Sequence, residues 1–330
     1  MLKNIAIIGC GYWGKNLVRN FYELGFLYCI SDDNLDQAER ISKEYNVKNK
    51  SFDEILLDKE VNAVVLAVPA FLHASMAIKA MNAGKHVYVE KPIAMNEDEA
   101  NEMISYSNNN NVHLMVGHLL QYHPIFVRLK EIVLDGEIGK IKYIYSNRLS
   151  LGKIRTEENI IWSFAPHDIS MILSLTEEMP NKVYAKKSKI ISDKIADSAL
   201  IQMSFNNGIN AHINVSWINP FKEHKLTVIG TTGMLVFDDT LDWNNKLILY
   251  RHEISMNEVP TSIKKGEGNY IKINEAEPLK EECRYFVNLI NGKVPSITDG
   301  KEGLRVLQVL SMADSYKEDS NLDTNNEEKL

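Results

Sequence analysis

The feature that most constrains the fold is the segment IAIIGCGYWG at residues 5–14, which ends in three glycines spaced G-x-G-x-x-G. The helix-like stretch KNLVRNFYELG follows directly, so the order predicts a buried strand, a tight turn and a helix start. Gly9 permits the turn, Gly11 lets the backbone approach a phosphate, and Gly14 lets the helix pack close to the strand. Because a helix N-terminus offers free N–H groups and partial positive charge, the segment predicts a site for a dinucleotide pyrophosphate.

Two aromatic residues and a cysteine occupy the remaining positions of the turn. Tyr12 and Trp13 are expected to present their backbone N–H groups to the phosphates, whatever their side chains do. Cys10 is a small residue that fits the turn. The alternative for the whole segment is a glycine turn inside some other βα unit.

The second predicted strand carries the residue expected to select the dinucleotide. Residues 26–32 read FLYCISD, and Asp32 lies 18 positions after Gly14, close to where such folds hold a carboxylate against the adenosine ribose. A carboxylate accepts a hydrogen bond from the ribose 2′-OH and repels a 2′-phosphate, so the residue predicts NAD(H) rather than NADP(H). Asp32 could also cap the helix that begins near Leu35, although Asp33 or Asn34 suits that role better.

Composition excludes several classes of protein. A chain of 330 residues, 45% hydrophobic and 25% charged, is typical of a soluble protein with two domains. A net charge of -7 without a basic stripe argues against nucleic acid as a partner. No apolar run reaches membrane-spanning length, and the N-terminus enters a strand at once, so we expect a cytoplasmic protein without membrane contact. The three cysteines lack metal-ligand spacing, which predicts free thiols, and no histidine or carboxylate cluster predicts a metal site.

Two patterns divide the chain. Over residues 1–120, continuous apolar strands alternate with helices, which predicts a parallel sheet covered on both faces, with ligands at the carboxyl edge of its strands. Over 121–316, alternating strands separated by short turns predict an antiparallel sheet with a helical segment at 163–175 and two closing helices, an α+β domain. The polar residues 317–330 are predicted to be a disordered tail.

Four features together resemble the glucose–fructose oxidoreductase, inositol dehydrogenase and rhizopine-catabolism (Gfo/Idh/MocA) family over residues 3–316. They are the glycine turn, the P-x-x-x-H of Pro69 to His73, the more specific tripeptide Glu90-Lys91-Pro92, and His167 within APHDIS. The segments WSFAPHDISMIL and SWINPFKEHKL are similar to members that act on nucleotide-linked sugars, the UDP-N-acetyl-aminosugar and UDP-N-acetylglucosaminuronate 3-dehydrogenases.

The resemblance implies a Rossmann domain followed by an open-faced antiparallel sheet, whose outer face forms a homo-dimer or homo-tetramer interface. It implies NAD-dependent oxidation of a ring hydroxyl, at C3, of a UDP-linked sugar in cell-surface polysaccharide biosynthesis. Two alternatives stay open: a ketosugar reductase that runs the same step backward, and a glycosidase that recycles a tightly held NAD. A non-enzymatic NAD-binding regulator fits less well, because a sensor needs neither Lys91 nor His167.

Oxidation of a sugar hydroxyl needs a group that takes its proton. Lys91 ends a buried strand at the ligand edge, where burial can lower its pKa from about 10.4. The resemblance implies that Lys91 contacts the reacting hydroxyl and that His167 lies across the cleft. We assign His167 as general acid/base and Lys91 as its polarising partner, although the reverse assignment stays open. Glu90 is expected to orient Lys91 or contact the cofactor, while Pro69 and His73 are expected beside the cofactor. The alternative for His73 is that it only fills the first helical turn.

One position departs from the family pattern. Many members carry Asp four residues before the histidine, where this chain has Ser163, so a mechanism in which that carboxylate tunes the base is in doubt. Trp162 is expected to wall the nicotinamide pocket or to belong to the core. Asp168 is expected to cap the helix that contains ISMIL.

The substrate residues are expected at the domain junction and on the first long strand of the second sheet. The junction holds His118, Gln121, Tyr122 and His123. Arg148 could bind a sugar-linked phosphate bidentately or be a surface cation. The same two interpretations apply to Lys153, Arg155 and Lys222.

Overall fold

A computed structural model describes residues 4–152, 154–255 and 262–316, so Lys153 and the tail predicted at 317–330 lie outside the described residues. The first sheet is parallel, as the sequence predicts, with the order β3-β2-β1-β4-β5-β6. Its strands are β1 (Asn4–Ile8), β2 (Leu27–Ser31), β3 (Lys48–Asn49), β4 (Val61–Leu66), β5 (His86–Val89) and β6 (Leu114–Val116).

Helices cover both sheets. They are α1 (Gly14–Glu23), α2 (Leu35–Tyr45), α3 (Phe52–Leu57), α4 (His73–Asn82), α5 (Glu97–Asn109), α6 (Pro124–Leu134), α7 (Ile160–Thr176), α8 (Pro278–Ile290) and α9 (Gly300–Ser315). Short 3-10 turns lie at Ala70–Leu72, Leu119–Tyr122 and Trp243–Asn245. In the described parts of the chain, none of the helices combines the length and apolar character needed to cross a membrane.

The second sheet has the order β14-β13-β12-β11-β7-β10-β9-β8. Its strands are β7 (Ile141–Leu151), β8 (Lys182–Ser188), β9 (Ser198–Ser204), β10 (Asn210–Ser216), β11 (Ile218–Gly230), β12 (Gly233–Asp238), β13 (Leu247–Ser255) and β14 (Ser262–Tyr270). The expected antiparallel pairing holds except at the centre, where β7 and β10 run parallel. The reason is the α7 crossover: a helix between strands lets β8 start in the same direction as β7, and the β8–β9–β10 meander then returns beside β7.

One face of this sheet forms a core with the helices, while the other is left open. Alternation along β7 turns Ile144 inward and Tyr143 and Tyr145 outward. On the open face His212 stacks on Tyr145, with ring centroids 5.4 Å apart, and bonds to the hydroxyl of Tyr143 at 2.6 Å. Assembly as a homo-dimer or homo-tetramer through this face stays a prediction.

Helix α8 packs against the first sheet. The predicted domain division assigns it to the second domain, and its Phe286 packs on Phe21 and Tyr88 in the core of the first sheet. An ion pair between Glu277, just before the helix, and Arg19 adds to this docking. The amphipathic pattern of α8 predicts a buried face but not which sheet buries it. The sequence therefore does not indicate that the chain returns to the first sheet.

Candidate active site

The glycine turn is closed on its protein side and open toward solvent. Gly9 has φ +88°, and a Cβ there would lie 2.5 Å from the carbonyl oxygen of Ala67. A Cβ on Gly14, the first residue of α1, would lie 2.0 Å from the carbonyl oxygen of Gly9, whereas a Cβ on Gly11 would meet nothing within 4 Å. Two glycines therefore permit the close packing, and the third leaves the space in which a phosphate can approach the backbone.

Asp32 lies beside this turn, directly after β2. Its carboxylate accepts hydrogen bonds from the backbone N–H of Cys10 at 2.6 Å, from the N–H of Asn34 at 2.8 Å and from Nε2 of Gln37 at 3.1 Å. Asn34 is the N-cap of α2, because its side chain accepts from the N–H of Gln37. Asp32 thus fixes the loop while keeping an acidic group at the edge where an adenosine ribose would bind.

A cleft of about 1200 Å³ runs between the two sheets at the carboxyl edge of the first. It brings together residues that the sequence predicts from separate segments: Tyr12, Trp13, Pro69, His73, Glu90, Lys91, Trp162 and His167. Phe71, Met95 and Asn159 also line it and were not singled out from the sequence. One continuous space therefore joins the glycine turn to the predicted acid/base pair.

Glu90 and Lys91 form a half-buried, hydrogen-bonded unit at the end of β5. Glu90 Oε1 accepts from the indole Nε1 of Trp13 at 2.6 Å and from the hydroxyl of Tyr88 at 3.2 Å, and burial raises the pKa of Glu90. Lys91 Nζ donates to the backbone oxygen of Ser163 at 3.1 Å. Burial lowers the pKa of Lys91, so its ammonium holds its protons less tightly than an exposed lysine does.

His167 projects into the cleft from α7, one helical turn after Ser163. Burial, followed by the positive charges of Lys91 and Arg148, holds the pKa of His167 well below its ordinary value. Its Nδ1 is buried without a hydrogen-bond partner among the described residues. The imidazole is therefore neutral at neutral pH and can accept a proton through Nε2.

Asp314, which the sequence analysis does not single out, holds Trp162 in the cleft wall. Its indole Nε1 donates to Asp314 Oδ2 at 2.8 Å, and Asn159 Nδ2 donates to Asp314 Oδ1 at 2.8 Å. Asn159 is also the N-cap of α7. Because Asp314 belongs to α9, far along the chain, only the folded structure shows this connection.

His73 lines the cleft but is committed to the scaffold. Its Nδ1 lies 2.8 Å from the carbonyl oxygen of Pro92, and its Nε2 lies 3.0 Å from that of Val68. It therefore ties the turn after Lys91 to the end of β4, and this placement favours the structural interpretation of His73.

Three residues predicted to bind substrate lie outside the cleft lining. Gln121 Nε2 donates to Ser170 Oγ at 2.9 Å, and the Tyr122 hydroxyl lies 2.6 Å from Thr298 Oγ1. Arg148 pairs with Asp168, with 3.2 Å between its NH2 atom and Oδ1. All three use their polar groups within the domain, so the structure favours positioning roles for them.

Asp168 is not the predicted helix cap. It lies in the middle of α7, which begins eight residues earlier at Ile160, and it is fully buried. A buried carboxylate needs a partner, and Arg148 supplies it. The pair joins α7 to β7 and so fixes the helix that carries His167.

Two family models match this chain. One, described as an oxidoreductase family with an NAD-binding Rossmann fold, matches residues 3–118, and the other, the GFO/IDH/MocA C-terminal domain, matches residues 126–236. The chain belongs to the Gfo/Idh/MocA family. It is therefore an oxidoreductase that uses NAD, and the glycine turn and Asp32 are the groups that fit this dinucleotide.

Two curated relatives align with almost the whole length of this chain. The UDP-N-acetylglucosamine 3-dehydrogenase of Acidithiobacillus ferrooxidans is 27% identical over 92% of this chain and 93% of its own. The scyllo-inositol 2-dehydrogenase (NAD(+)) of Bacillus subtilis is 26% identical over 89% of this chain and 88% of its own. Sequence likeness of this level thus reaches proteins named for both nucleotide-linked and free substrates.

Solved structures agree with the fold. The UDP-N-acetylglucosamine 3-dehydrogenase GnnA of A. ferrooxidans has a TM-score of 0.83 at 25% identity and covers 94% of this chain and 96% of its own. The WlbA dehydrogenase of Bordetella pertussis, solved with NADH and UDP-GlcNAcA, has a TM-score of 0.78 at 21% identity, covering 95% of this chain and 96% of its own. The two-domain arrangement is shared with both.

Replacing Asp32 with asparagine is expected to weaken the preference for NAD over NADP by about 10-fold or more, since a charged hydrogen bond contributes roughly 1.5–3 kcal/mol. Asparagine keeps an acceptor oxygen but removes the charge that repels a 2′-phosphate. Dissociation constants for both dinucleotides, measured by titration, check this. Asp33→Asn is the matched control, because Asp33 is the exposed neighbour, and an equal loss of preference in that variant would contradict the assignment.

Proposed function

We propose that this chain oxidises the C3 hydroxyl of a UDP-linked N-acetylated sugar with NAD, as a step in cell-surface glycan biosynthesis. The observation that carries the proposal is the meeting of Lys91 and His167 in one cleft beside the glycine turn. The relative named UDP-N-acetylglucosamine 3-dehydrogenase, alike over nearly all of both chains, supports the choice of substrate class.

The glycine turn and Asp32 would hold NAD, which when bound accepts a hydride from the sugar carbon. His167 Nε2 takes the hydroxyl proton, a task for which its neutral form is suited. Lys91 Nζ is anchored by the Ser163 carbonyl and directs its remaining protons to the substrate oxygen, where it stabilises negative charge. In the reverse direction the same two groups return the proton.

Cations in the cleft away from the glycine turn support a substrate that carries a diphosphate. They are Arg155, Lys187, Lys189 and Lys194, all in the cleft lining; Arg155 also pairs with Glu158 and Lys187 with Asp314. Arg155 was expected from the sequence, whereas the three lysines come from β8 and the loop after it. Their ammonium groups can be drawn to phosphate oxygens, as Lys189 Nζ is to the carbonyl oxygen of Asp193 at 2.8 Å.

The double substitution Lys189→Ala with Lys194→Ala is expected to raise KM for a UDP-linked sugar about 10-fold while leaving kcat near its original value. Both side chains are exposed, so their contribution is to binding of the distant anion and not to chemistry. Steady-state kinetics check this. Lys182→Ala, on β8 but outside the cleft, is the matched control; a double variant whose KM does not change would contradict the placement of the diphosphate.

The proposed function is tested with a substrate panel. NADH formation is followed with UDP-N-acetylglucosamine, UDP-N-acetylglucosaminuronate, free N-acetylglucosamine and myo-inositol. We expect turnover of a UDP-linked sugar with kcat/KM at least about 100-fold above that of the free compounds, because charge-assisted contacts to the phosphates add affinity. Turnover of myo-inositol alone would overturn the proposal.

A further inference from the structure

A buried carboxylate–histidine pair lies directly behind His167. The Nδ1 atom of His118, after β6, is 2.6 Å from Oε2 of Glu302 on α9. The other oxygen of Glu302 accepts from the hydroxyl of Ser170 at 2.6 Å. The side chains of His118 and Glu302 are only 2% and 15% exposed, so solvent screens their interaction weakly.

This geometry sets the protonation of His118. A carboxylate only accepts hydrogen bonds, so Nδ1 of His118 carries the proton that it shares with Oε2. The Ser170 hydroxyl donates to Oε1, so both oxygens of Glu302 are hydrogen-bonded. His118 is thereby fixed in one orientation with a negative charge on its far side.

His118 in turn packs edge-on against His167. The ring centroids are 6.5 Å apart with an angle of 81° between the planes. Ser170 lies one turn after His167 on α7, so Glu302 is bound both to the helix that carries His167 and to the ring that packs on it.

His167 lacks a direct anionic partner of its own among the described residues that surround it. The groups that face it from β5, β7, β6 and β11 are Lys91, Arg148, His118 and His224. Asp168, its neighbour on α7, is engaged by Arg148. Nδ1 of His167 is buried without a bond, and so is Oγ of Ser163 one turn earlier. Formation of an imidazolium at His167 would be opposed by the positive charges of Lys91 and Arg148 unless a nearby negative charge offset them.

We propose that Glu302 and His118 are a positioning pair for His167. Glu302, acting through His118, stabilises His167 when it takes the substrate proton. The inference rests on the proposed function for its chemical step. In that step the O–H bond of the sugar breaks and its proton moves to His167 Nε2, while the hydride leaves with NAD. Neither Glu302 nor His118 exchanges a proton with the substrate in this step, so no further reactant is needed.

The kinetic test compares Glu302→Gln with the charge-retaining Glu302→Asp. Removing the charge makes the imidazolium harder to form, so Glu302→Gln should move the acid limb of the kcat/KM profile to lower pH and lower kcat about 10-fold or more with KM little changed. Glu302→Asp should recover most of kcat and the original limb. His118→Asn should behave like Glu302→Gln. Glu102→Gln, an exposed carboxylate on α5, is the control for charge removal at a distance.

A second arm needs no substrate and so separates this inference from the proposed function. The histidine imidazoles are followed by NMR during an acid titration, and His167 is assigned from the spectrum of His167→Asn. The pH at which His167 takes a proton should fall by at least about half a pH unit in Glu302→Gln. His212, on the open face of the second sheet, serves as the internal reference.

The outcomes are decisive in both arms. An acid limb of kcat/KM at the same pH in Glu302→Gln and wild type would overturn the inference. A Glu302→Asp variant whose kcat is no higher than that of Glu302→Gln would do the same. Identical His167 titrations, or a His167 that stays neutral throughout in both proteins, would do the same. A wild type without activity on UDP-linked sugars would overturn the proposed function alone, because the titration would still report on Glu302.

Discussion

Lys91→Ala is expected to lower kcat/KM for sugar oxidation by about 10³-fold while the dissociation constant of NAD changes little. The half-buried Lys91 ammonium is the group that can stabilise the oxygen as it loses its proton, and an alanine leaves that oxygen in a site without the cation. The dinucleotide is held chiefly by the glycine turn and Asp32, so its binding is largely independent of Lys91. Steady-state kinetics and NAD titration of the same preparations measure the two effects.

Two further variants sharpen the result for Lys91. Lys79→Ala removes an exposed lysine of α4 in the same domain and should keep wild-type activity. Lys91→Arg keeps the charge but cannot release a proton near neutral pH, so partial activity would assign Lys91 to polarisation and none would favour it as the base. If Lys91→Ala retains more than about a tenth of kcat/KM, Lys91 does not contribute substantially to stabilising the transition state.

His167→Asn is expected to lower kcat by about 10²- to 10⁴-fold and to abolish the acid limb of the rate profile. Asparagine retains polarity and similar size but cannot take a proton. Because burial and the neighbouring cations hold the pKa of His167 down, wild-type oxidation should be independent of pH near neutrality and fall only well below the ordinary histidine range. Rates measured across the pH range in wild type and variant check both points.

His113→Asn is the matched control for this substitution. His113 directly precedes β6, at the amino edge of the sheet and away from the cleft. Its loss should leave the rate profile unchanged. An acid limb that persists in His167→Asn would show that another group accepts the proton. Lys91 would then be the candidate base, which is the reverse of the assignment made above.

The fold and the site residues of the first domain could be predicted from the sequence because their signals are local. The glycine spacing, the acidic residue after the second strand and the Glu90–Lys91 pair all lie at strand ends, and a parallel sheet brings its strand ends to one edge. Tyr12 and Trp13 of the glycine turn therefore meet Glu90 and Lys91 in one cleft. Helix α5 (Glu97–Asn109) likewise depends on local signals, the N-cap Asn96 and the acidic residues of its first turn.

Other elements left weak signals along the chain. Strand β14 reads SIKKGEGNY and is mostly exposed, so it lacks the apolar alternation by which strands are recognised, and its pairing with β13 supplies the missing stability. Helix α3 has only six residues and begins at a Ser51–Glu54 capping box. Both elements are defined by a partner or by a cap and not by periodicity.

The finer parts of the site depend on contacts between distant segments. Arg148 reads as a candidate phosphate ligand until the fold places Asp168 beside it. Asp314 and Glu302 lie on the last helix, more than 130 positions from the groups they bind on α7, and no spacing rule joins them. Sequence patterns thus predict which groups stand at a strand end, whereas the partners that tune them emerge only with tertiary packing.

The most direct test of the central claim follows one atom. UDP-N-acetylglucosamine carrying deuterium at C3 is incubated with the enzyme and NAD, and the NADH formed is analysed by mass spectrometry. The account predicts that the deuterium passes to the nicotinamide, with a slower turnover than for the unlabelled sugar. NADH without deuterium would show that another carbon is oxidised, and absence of NADH from any UDP-linked sugar would contradict the proposed function itself.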